Sequence, residues 1–145
     1  MATTVKRIAL WRKEVNNRAG ILAGALAPIA HAGANIHVVL AYRYPGRKSK
    51  GAIEIYPVTG KKSATAAKEA GFSVSDIPAL LVEGDNRVGL GYATAQAIAN
   101  AGISLDFLVA QAVGEKYSAV FGFESNSDAA KCAAIIRKAG AAKKK

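Results

Sequence analysis

A segment near the start of the chain returns in its middle. Residues 17 to 33 read NRAGILAGALAPIAHAG, and residues 86 to 102, which lie 69 positions later, read NRVGLGYATAQAIANAG. Self-similarity at a fixed period marks copies of one supersecondary unit that bury a face against each other. A copy of this length is close to the smallest size at which a core is stable alone, so we expect two small modules that pack together.

The composition is typical of a globular protein. Hydrophobic residues make up 51% of the chain and charged residues 21%, unlike a disordered chain. No apolar run reaches the roughly 18 residues of a membrane-spanning helix. The N-terminal MATTVKRIALWRK lacks the uninterrupted apolar region and the cleavage site of a secretory signal. We therefore expect a cytoplasmic protein with no membrane partner.

The net charge of +10 is high enough to attract the phosphate backbone of a nucleic acid. Many of the basic residues, however, gather in a loop, before a helix and in the C-terminal tail, where solvated charge ordinarily lies. These residues are Arg47, Lys48, Lys50, Lys61, Lys62, Lys143, Lys144 and Lys145. We interpret them mainly as solubilising charge.

The first copy reads as strand, helix, strand, strand, helix, strand. RIALWRKEV alternates like a strand, and Asn16 and Asn17 are typical turn and N-cap residues. A helical pattern runs to Gly33, and period-two alternation follows from Ile36 to Leu40. YPGRKSKG predicts a basic loop, AIEIYP a strand, and the Ala-rich stretch to Gly71 a helix.

The second copy repeats this order but ends early. FSVSDIPALLVE supplies the last strand of the first copy and the first strand, 79 to 83, of the second. A loop from Gly84 to Arg87, a helix from Val88 to Ala101, strands LDFLVAQ and YSAVFGF, and helix DAAKCAAIIRKA follow. Only AAKKK remains after Gly140, so the second copy lacks a clear final strand. The predicted domains are 1 to 76, 77 to 140, and a basic tail, 141 to 145.

The βαββαβ order and two short motifs in each copy resemble the ACT domain. In the first copy the matching residues are Asn16-Asn17-Arg18-Ala19-Gly20-Ile21 and Ala32-Gly33-Ala34-Asn35-Ile36. In the second copy they are Asp85-Asn86-Arg87-Val88-Gly89-Leu90 and Ala101-Gly102-Ile103-Ser104-Leu105. Ala19 and Val88 replace the proline that is usual in the family. Because the copies cover almost the whole chain, it is similar to a stand-alone tandem ACT protein.

The resemblance implies an α+β fold of two ferredoxin-like units that bind a small effector, most often an amino acid, at strand-to-helix loops at an interface between units. A loop that opens a helix presents unpaired N–H groups and the positive end of the helix dipole, which suit a carboxylate. Asn17, Asp85 and Asn86 can accept hydrogen bonds from an ammonium group, and Gly20 and Gly89 leave the main chain accessible. The candidate ligand-binding residues are Asn16, Asn17, Arg18, Gly20, Ile21, Asn35, Asp85, Asn86, Arg87, Gly89, Leu90 and Ser104.

Two further readings of these loops stay open. Asn-Arg-x-Gly also serves as a helix entry that needs no ligand. Because Asp85 stands where the first copy has Asn16, the two loops are not equivalent. If only one of them binds an amino acid, the carboxylate favours the second.

Residues that carry catalysis or bind metals do not cluster in the sequence. His31 and His37 have no Cys or acidic partner at metal-site spacing, and GLGYATAQ and GILAGALA lack the Lys-Ser/Thr of a phosphate-binding loop. The single cysteine, Cys132, lies in an Ala-rich helical stretch and is interpreted as structural. A triad assembled only by folding stays open. We expect no enzyme activity, no metal and no cofactor.

The leading hypothesis is a non-catalytic regulatory sensor that binds a free amino acid or a similar metabolite. Homodimerisation is expected because IHVVLAY and LDFLVAQ are apolar on both faces, whereas a ferredoxin-like sheet carries helices on one face only. The alternative is a basic ferredoxin-like nucleic-acid-binding protein, since RNA-recognition domains share this order. Two observations count against it. YSAVFGF does not begin with the (Lys/Arg)-Gly-(Phe/Tyr) motif with which those domains stack bases, and AIEIYP carries the acidic Glu54. A small isomerase or lyase is a third possibility.

Overall fold

The computed structural model describes residues 3 to 141 and divides them into two compact units. The first unit is Ala9–Asp76, and the second contains the described residues up to Ile8 and from Ile77 onward. Each unit holds one four-stranded antiparallel sheet and two helices. In chain order the elements are β1 (Thr4–Ile8), β2 (Trp11–Asn16), α1 (Ile21–His31), β3 (Val38–Tyr44), β4 (Arg47–Tyr56), α2 (Lys61–Glu69), β5 (Ser73–Val74), β6 (Ala79–Asp85), α3 (Leu90–Asn100), β7 (Leu105–Val113), β8 (Lys116–Phe123) and α4 (Asn126–Ala141).

The first unit has the βαββαβ order that the sequence predicts. Its sheet runs β3-β4-β2-β5, and α1 and α2 supply the other layer. Alternate residues of β4, Ile53 and Ile55, are fully or almost fully buried in a core with Val15 and with Ile29 of α1. This alternation follows from the period of two along a strand, which sends the intervening Glu54 to the face without helices.

The second unit takes its fourth strand from the N-terminal segment. Strands β6, β7 and β8 and helices α3 and α4 follow in the predicted order, and β1 pairs antiparallel with β6, from Thr4 opposite Glu83 to Ile8 opposite Ala79. The sheet runs β1-β6-β8-β7, so β1 holds the position that β5 holds in the first unit. The final strand that the second copy lacks is thereby supplied.

The predicted first domain, residues 1 to 76, needs a correction because the segment up to Ile8 belongs to the second unit. RIALWRKEV is two strands rather than one. β1 ends at Ile8 and β2 begins at Trp11, so the intervening Ala9 and the buried Leu10 let the chain change sheets. Of the predicted tail, Ala141 ends α4 and residues 142 to 145 lie outside the described residues.

Two predicted loops are shorter than the sequence suggests. The basic residues Arg47 to Lys50 belong to β4, because a tight turn at Pro45 and Gly46, where Gly46 has a φ of 76°, already closes the hairpin. In the second unit, Gly84 and Asp85 are the last residues of β6, so the loop begins at Asn86.

Helix α4 covers the sheet of the second unit with one apolar face. Its buried residues Ala129, Cys132 and Ile136 recur at spacings of three and four, which places them on one side of the helix. Burial raises the pKa of the Cys132 thiol, which suits a structural rather than a reactive cysteine. Among the helices of residues 3 to 141, none combines the length and apolarity needed to cross a bilayer.

Candidate functional site

Both strand-to-helix loops end in a glycine that opens the helix. Gly20 has a φ of 84° and Gly89 a φ of 80°, a left-handed conformation that L side chains rarely adopt. Neither α1 nor α3 has a side-chain N-cap, so the predicted N-cap role of Asn16 and Asn17 is wrong. A Cβ built on either glycine would meet nothing within 4 Å, which means that the space beside each loop is open.

The first turn of each helix presents two backbone N–H groups without a partner. In α1 these belong to Leu22 and Ala23, which donate to no group within residues 3 to 141. In α3 they belong to Gly91 and Tyr92, for which the described residues likewise supply no acceptor. The flanking N–H groups on either side donate to loop carbonyls at 2.9 to 3.2 Å.

The hairpin of each sheet holds the adjacent loop. The backbone N–H of Asn17 donates to Ser49 O, and that of Asn86 donates to Glu115 O, each at 2.8 Å. Both acceptors belong to the β-hairpin next to the loop. The two copies therefore fix their loops by the same contact.

A cavity of about 230 Å³ lies between α3 and the sheet of the second unit, and we name it the α3 pocket. Its inner wall is buried, with Leu90, Thr94, Ala119 and Phe121 each no more than 8% exposed, while its other lining residues are exposed or half-buried. Its full lining is Asn86, Leu90, Gly91, Thr94, Ala95, Ala110, Gln111, Ala112, Tyr117, Ala119 and Phe121.

The first unit has a recess at the corresponding place, the α1 pocket, with a volume of about 520 Å³. Most of its lining residues are exposed, and its buried lining residues are Val15, Gly51 and Ile53. Its lining is Val15, Asn17, Arg18, Gly20, Ile21, Leu22, Ala23, Ala41, Tyr42, Arg43, Gly51 and Ile53.

Several predicted site residues meet at these pockets. Those that line a pocket are Asn17, Arg18, Gly20 and Ile21 in the first unit and Asn86 and Leu90 in the second. Gly89 immediately precedes Leu90 at the start of α3. Asn16 ends β2, and its side-chain oxygen accepts a hydrogen bond from Lys50 Nζ at 2.6 Å.

Two charged candidates of the second loop have protein partners. Asp85 forms an exposed ion pair with Lys116, with 2.5 Å between Oδ1 and Nζ, and this interaction lowers the pKa of the Asp85 carboxyl. The half-buried Arg87 donates from Nη2 to Ala139 O at 2.8 Å, near the end of α4. In this structure Arg87 therefore links the loop to α4.

The structure does not bring Asn35 or Ser104 to the loops. Each follows the C-terminal end of an eleven-residue helix whose N-terminal end lies at the loop. A helix of that length spans about 16 Å, and neither residue lines the pocket of its unit.

Residues from the following strands complete the pocket walls instead. Because β2 and β3 both pair antiparallel with β4, they run parallel, and the end of β3 returns to the loop edge. Tyr42 and Arg43 reach the α1 pocket in this way, and Ala110, Gln111 and Ala112 reach the α3 pocket. The βαβ order could have indicated these residues from the sequence, since it places the end of the second strand beside the loop.

A buried carboxylate lies on the helix-free face of the first sheet. Glu54 is 0% exposed, and Tyr42 Oη donates to its Oε2 at 2.6 Å. Burial and then this hydrogen bond raise the pKa of Tyr42 to about 12. The Tyr42 hydroxyl therefore lies with Glu54 on the helix-free face, opposite the face on which α1 packs. Over residues 3 to 141, no three His, Cys, Asp or Glu residues cluster as a metal site would require.

No family model matches the sequence, and no curated protein matches it. Solved structures match nearly the whole chain. A protein from Bacteroides thetaiotaomicron has a TM-score of 0.73 at 14% identity, with 92% of this chain and 89% of that one covered. The ligand-free regulatory subunit of aspartate kinase from Thermus thermophilus has a TM-score of 0.62 at 14% identity, covering 96% and 97%. The corresponding subunit from Thermus flavus has a TM-score of 0.60 at 18% identity, also covering 96% and 97%.

Identities of 14 to 18% make this a likeness of fold. The predicted α+β arrangement of two ferredoxin-like units in tandem is confirmed.

Proposed function

We propose that this protein is a non-catalytic regulatory protein that binds a free amino acid or a similar small metabolite at its strand-to-helix loops. The observation that carries the proposal is the pair of unpartnered N–H groups beside each pocket. The solved regulatory subunits with this fold support a regulatory role. The cytoplasmic location stays a prediction.

The chemistry of each loop suits a carboxylate. Two N–H groups at the start of a helix, together with the positive end of the helix dipole, stabilise an anion without a charged side chain. In the second unit, Gly91 lies at the α3 pocket, and Asn86 offers an amide oxygen for an ammonium group. In the first unit, Leu22 and Ala23 line the α1 pocket together with Asn17.

Isothermal titration against the twenty amino acids tests the proposal. We expect heat of binding from at least one of them, and Gly89→Ala should weaken that binding because its Cβ enters the open space beside the free N–H groups. Gly102→Ala is the matched control. Gly102 has a φ of 73°, also has no atom near a built Cβ, and lies at the opposite end of α3.

Both substitutions carry the same backbone strain, about 1–2 kcal/mol, so their stabilities should match while their affinities differ. No heat from any of the twenty, or equal weakening by the two variants, would contradict binding at the second loop.

We also propose that a second copy of the chain covers strand β7. Among the strands of residues 3 to 141, this edge strand pairs only with β8, and it exposes Leu108 by 44%, Val109 by 47% and Val113 by 70%. A long apolar edge strand presents unpaired backbone groups and apolar surface together, which favours association. Homodimerisation would allow ligand occupancy to be passed on.

Light scattering should return twice the chain mass of 15.0 kDa. Val109→Lys should shift the protein towards the monomer, whereas Val74→Lys, at an exposed position of β5, should not. A mass of 15.0 kDa at every concentration would refute the dimer.

Nucleic-acid binding is the competing function, and an aromatic surface of the first unit favours it. Tyr42 and Tyr44 lie with ring centroids 6.1 Å apart, and the Arg47 guanidinium lies 5.6 Å from the Tyr44 ring. Their hydroxyls, however, donate to Glu54 and Glu14, and these carboxylates disfavour a phosphate. RNA retardation in a gel that weakens with salt and is lost in Tyr44→Ala would support this alternative over amino-acid binding.

A further inference from the structure

The α3 pocket extends further into its unit than the α1 pocket does. Strand pairing makes Ala119 the equivalent of Ile53 and Phe121 the equivalent of Ile55. Phe121 and Ile55 are the next residues along their strands that face the helices. Phe121 lines the α3 pocket, whereas Ile55 does not line the α1 pocket. On the helix side, the α3 pocket is lined by the buried Thr94 and the exposed Ala95.

Smaller side chains in the second copy create this inner space. The 69-residue offset aligns Gly91 with Leu22, so a leucine side chain is missing from the wall. The pairing of Ala110 with Ala119 corresponds to that of Ala41 with Ile53, so an alanine replaces an isoleucine. The two differences remove side-chain volume that Ile53 and Leu22, the latter 38% exposed, supply in the first unit. Nearer the loop the second copy adds volume, because Tyr117 pairs with Ala112 where Gly51 pairs with Arg43.

A third difference places a hydroxyl at the α3 pocket. Thr94 stands where the first copy has Ala25, is only 8% exposed and lines the α3 pocket. Its hydroxyl has no hydrogen-bond partner within residues 3 to 141. The hydroxyl is not fully enclosed by the protein, so a ligand atom that enters the pocket can bond to it.

The lining of the α3 pocket carries no ionised side chain, in contrast to Arg18 and Arg43 at the α1 pocket. Tyr117 lies opposite Ala112 near the loop end of the pocket, and burial raises the pKa of its phenol, which keeps it neutral. A charged group inserted between α3 and the sheet would lose hydration without gaining a counter-charge, so the pocket disfavours it.

We propose that the α3 pocket admits a short, uncharged, hydrogen-bonding group of its ligand and that Thr94 selects for that group. The α1 pocket lacks the inner space and does not admit it. The inference rests on the proposed function for the carboxylate at the mouth of the pocket. Thr94 is then the specificity-determining residue of the second unit.

Titration of the amino acids against four test variants and one control variant tests the proposal. In the wild type, amino acids with short, uncharged polar side chains should bind at least tenfold more tightly than Asp, Glu, Lys or Arg. Gly91→Leu and Ala119→Ile restore the residues of the first copy and should each weaken this binding at least tenfold. Gly24→Leu is the matched control, because Gly24 also lies in a helix with open space around it but lines neither pocket.

Thr94→Val retains the shape of threonine without its hydroxyl and should weaken binding about tenfold, while Thr94→Ser should stay within about threefold of the wild type. A thermal melt checks folding. Because Ala119→Ile fills empty space, its Tm should equal or exceed that of the wild type. A lower Tm for Ala119→Ile, or a preference for a charged amino acid, would overturn the proposal.

Isobutyramide separates this inference from the proposed function, since it has no carboxylate or ammonium group for the loop. Saturation-transfer NMR should detect its binding to the wild type and lose the signal in Ala119→Ile. If isobutyramide binds and no amino acid does, the proposed function fails and the pocket chemistry stands. If isobutyramide does not bind the wild type, the inference itself fails.

Discussion

Removal of strand β1 should unfold the second unit and spare the first. A chain that begins at Ala9 loses the pairing of Thr4–Ile8 with β6 and opens the edge of that sheet. It keeps every strand of the first unit, whose sheet is β3-β4-β2-β5. The effect is therefore expected far from the deletion in sequence, at residues 79 to 85.

The size of the effect follows from the contacts of β1. Ile8 is 5% exposed, and full burial of an isoleucine contributes about 1.5–3 kcal/mol. Val5 is half-buried against the core of the second unit and adds about 1 kcal/mol. Arg137 Nη2 donates to Val5 O at 3.0 Å, and this bond and the strand ladder each contribute about 0.5–1.5 kcal/mol per hydrogen bond. The two side chains and the Arg137 bond together contribute about 3–5.5 kcal/mol before the ladder is added, which is comparable to the whole stability of a small domain, about 5–15 kcal/mol.

Hydrogen exchange followed by mass spectrometry measures the two units separately. In the truncated chain, peptides from β6 and β8 should lose protection, while peptides from β2 and β4 should keep it. Ile8→Ala is a milder variant, expected to destabilise the second unit by about 2–4 kcal/mol. Lys6→Ala, an exposed change on the same strand, should stay within about 0.5 kcal/mol. Loss of protection in the first unit instead, or unchanged protection in β6, would refute the assignment of β1.

Three further predictions concern named side chains. Because the pKa of Tyr42 is raised from 10.0 to about 12, the stability that its neutral phenol contributes is fully present below pH 10 and is lost as the pH rises towards 12. The free energy of unfolding of Tyr42→Phe should therefore fall less than that of the wild type between pH 10 and 12. Equal losses in the two proteins would contradict this. Arg87→Gln removes the hydrogen bond to Ala139 O, so it should lower the free energy of unfolding by about 1–2 kcal/mol and speed amide exchange at the end of α4. Unchanged exchange there would show that this bond does not hold the helix. Asp85→Asn should leave the neutral-pH melting temperature in high salt nearly unchanged, since the ion pair is exposed, and a large drop would indicate a structural role.

The order of elements could be predicted because the repeat supplies each pattern twice. The helical spacing in residues 17 to 33 is repeated at 86 to 102, so Pro28 did not obscure α1. The glycines that open both helices were located in the same way. Local periodicity and a duplicated loop were sufficient for these elements.

The pairing of β1 with the sheet of the second unit could not be predicted from local pattern. No glycine or proline marks the break between Ile8 and Trp11, and alternation continues through Ala9 and Leu10. The sheet that a strand joins depends on pairing with distant residues, here β6, and not on its own composition.

The inner wall of the α3 pocket was missed for a similar reason. Thr94 lies within a helical pattern, where it reads as an ordinary core position, and Ala119 belongs to a strand 25 residues further on. Only the strand register shows that Ala119 replaces the isoleucine of the first copy. The loops were found by the repeat, while the differences between the repeats define the pocket.

Chemical-shift mapping of the 15N-labelled protein with a mixture of the twenty amino acids tests the central claim most directly. Binding at the loops predicts shifts at the amides of Gly91 and Tyr92, at those of Leu22 and Ala23, or at both pairs, since these N–H groups have no partner within residues 3 to 141. Glycine amides far from the loops, such as Gly102 and Gly33, should not move. Shifts confined to surfaces away from these helix starts, or none at all, would contradict the account.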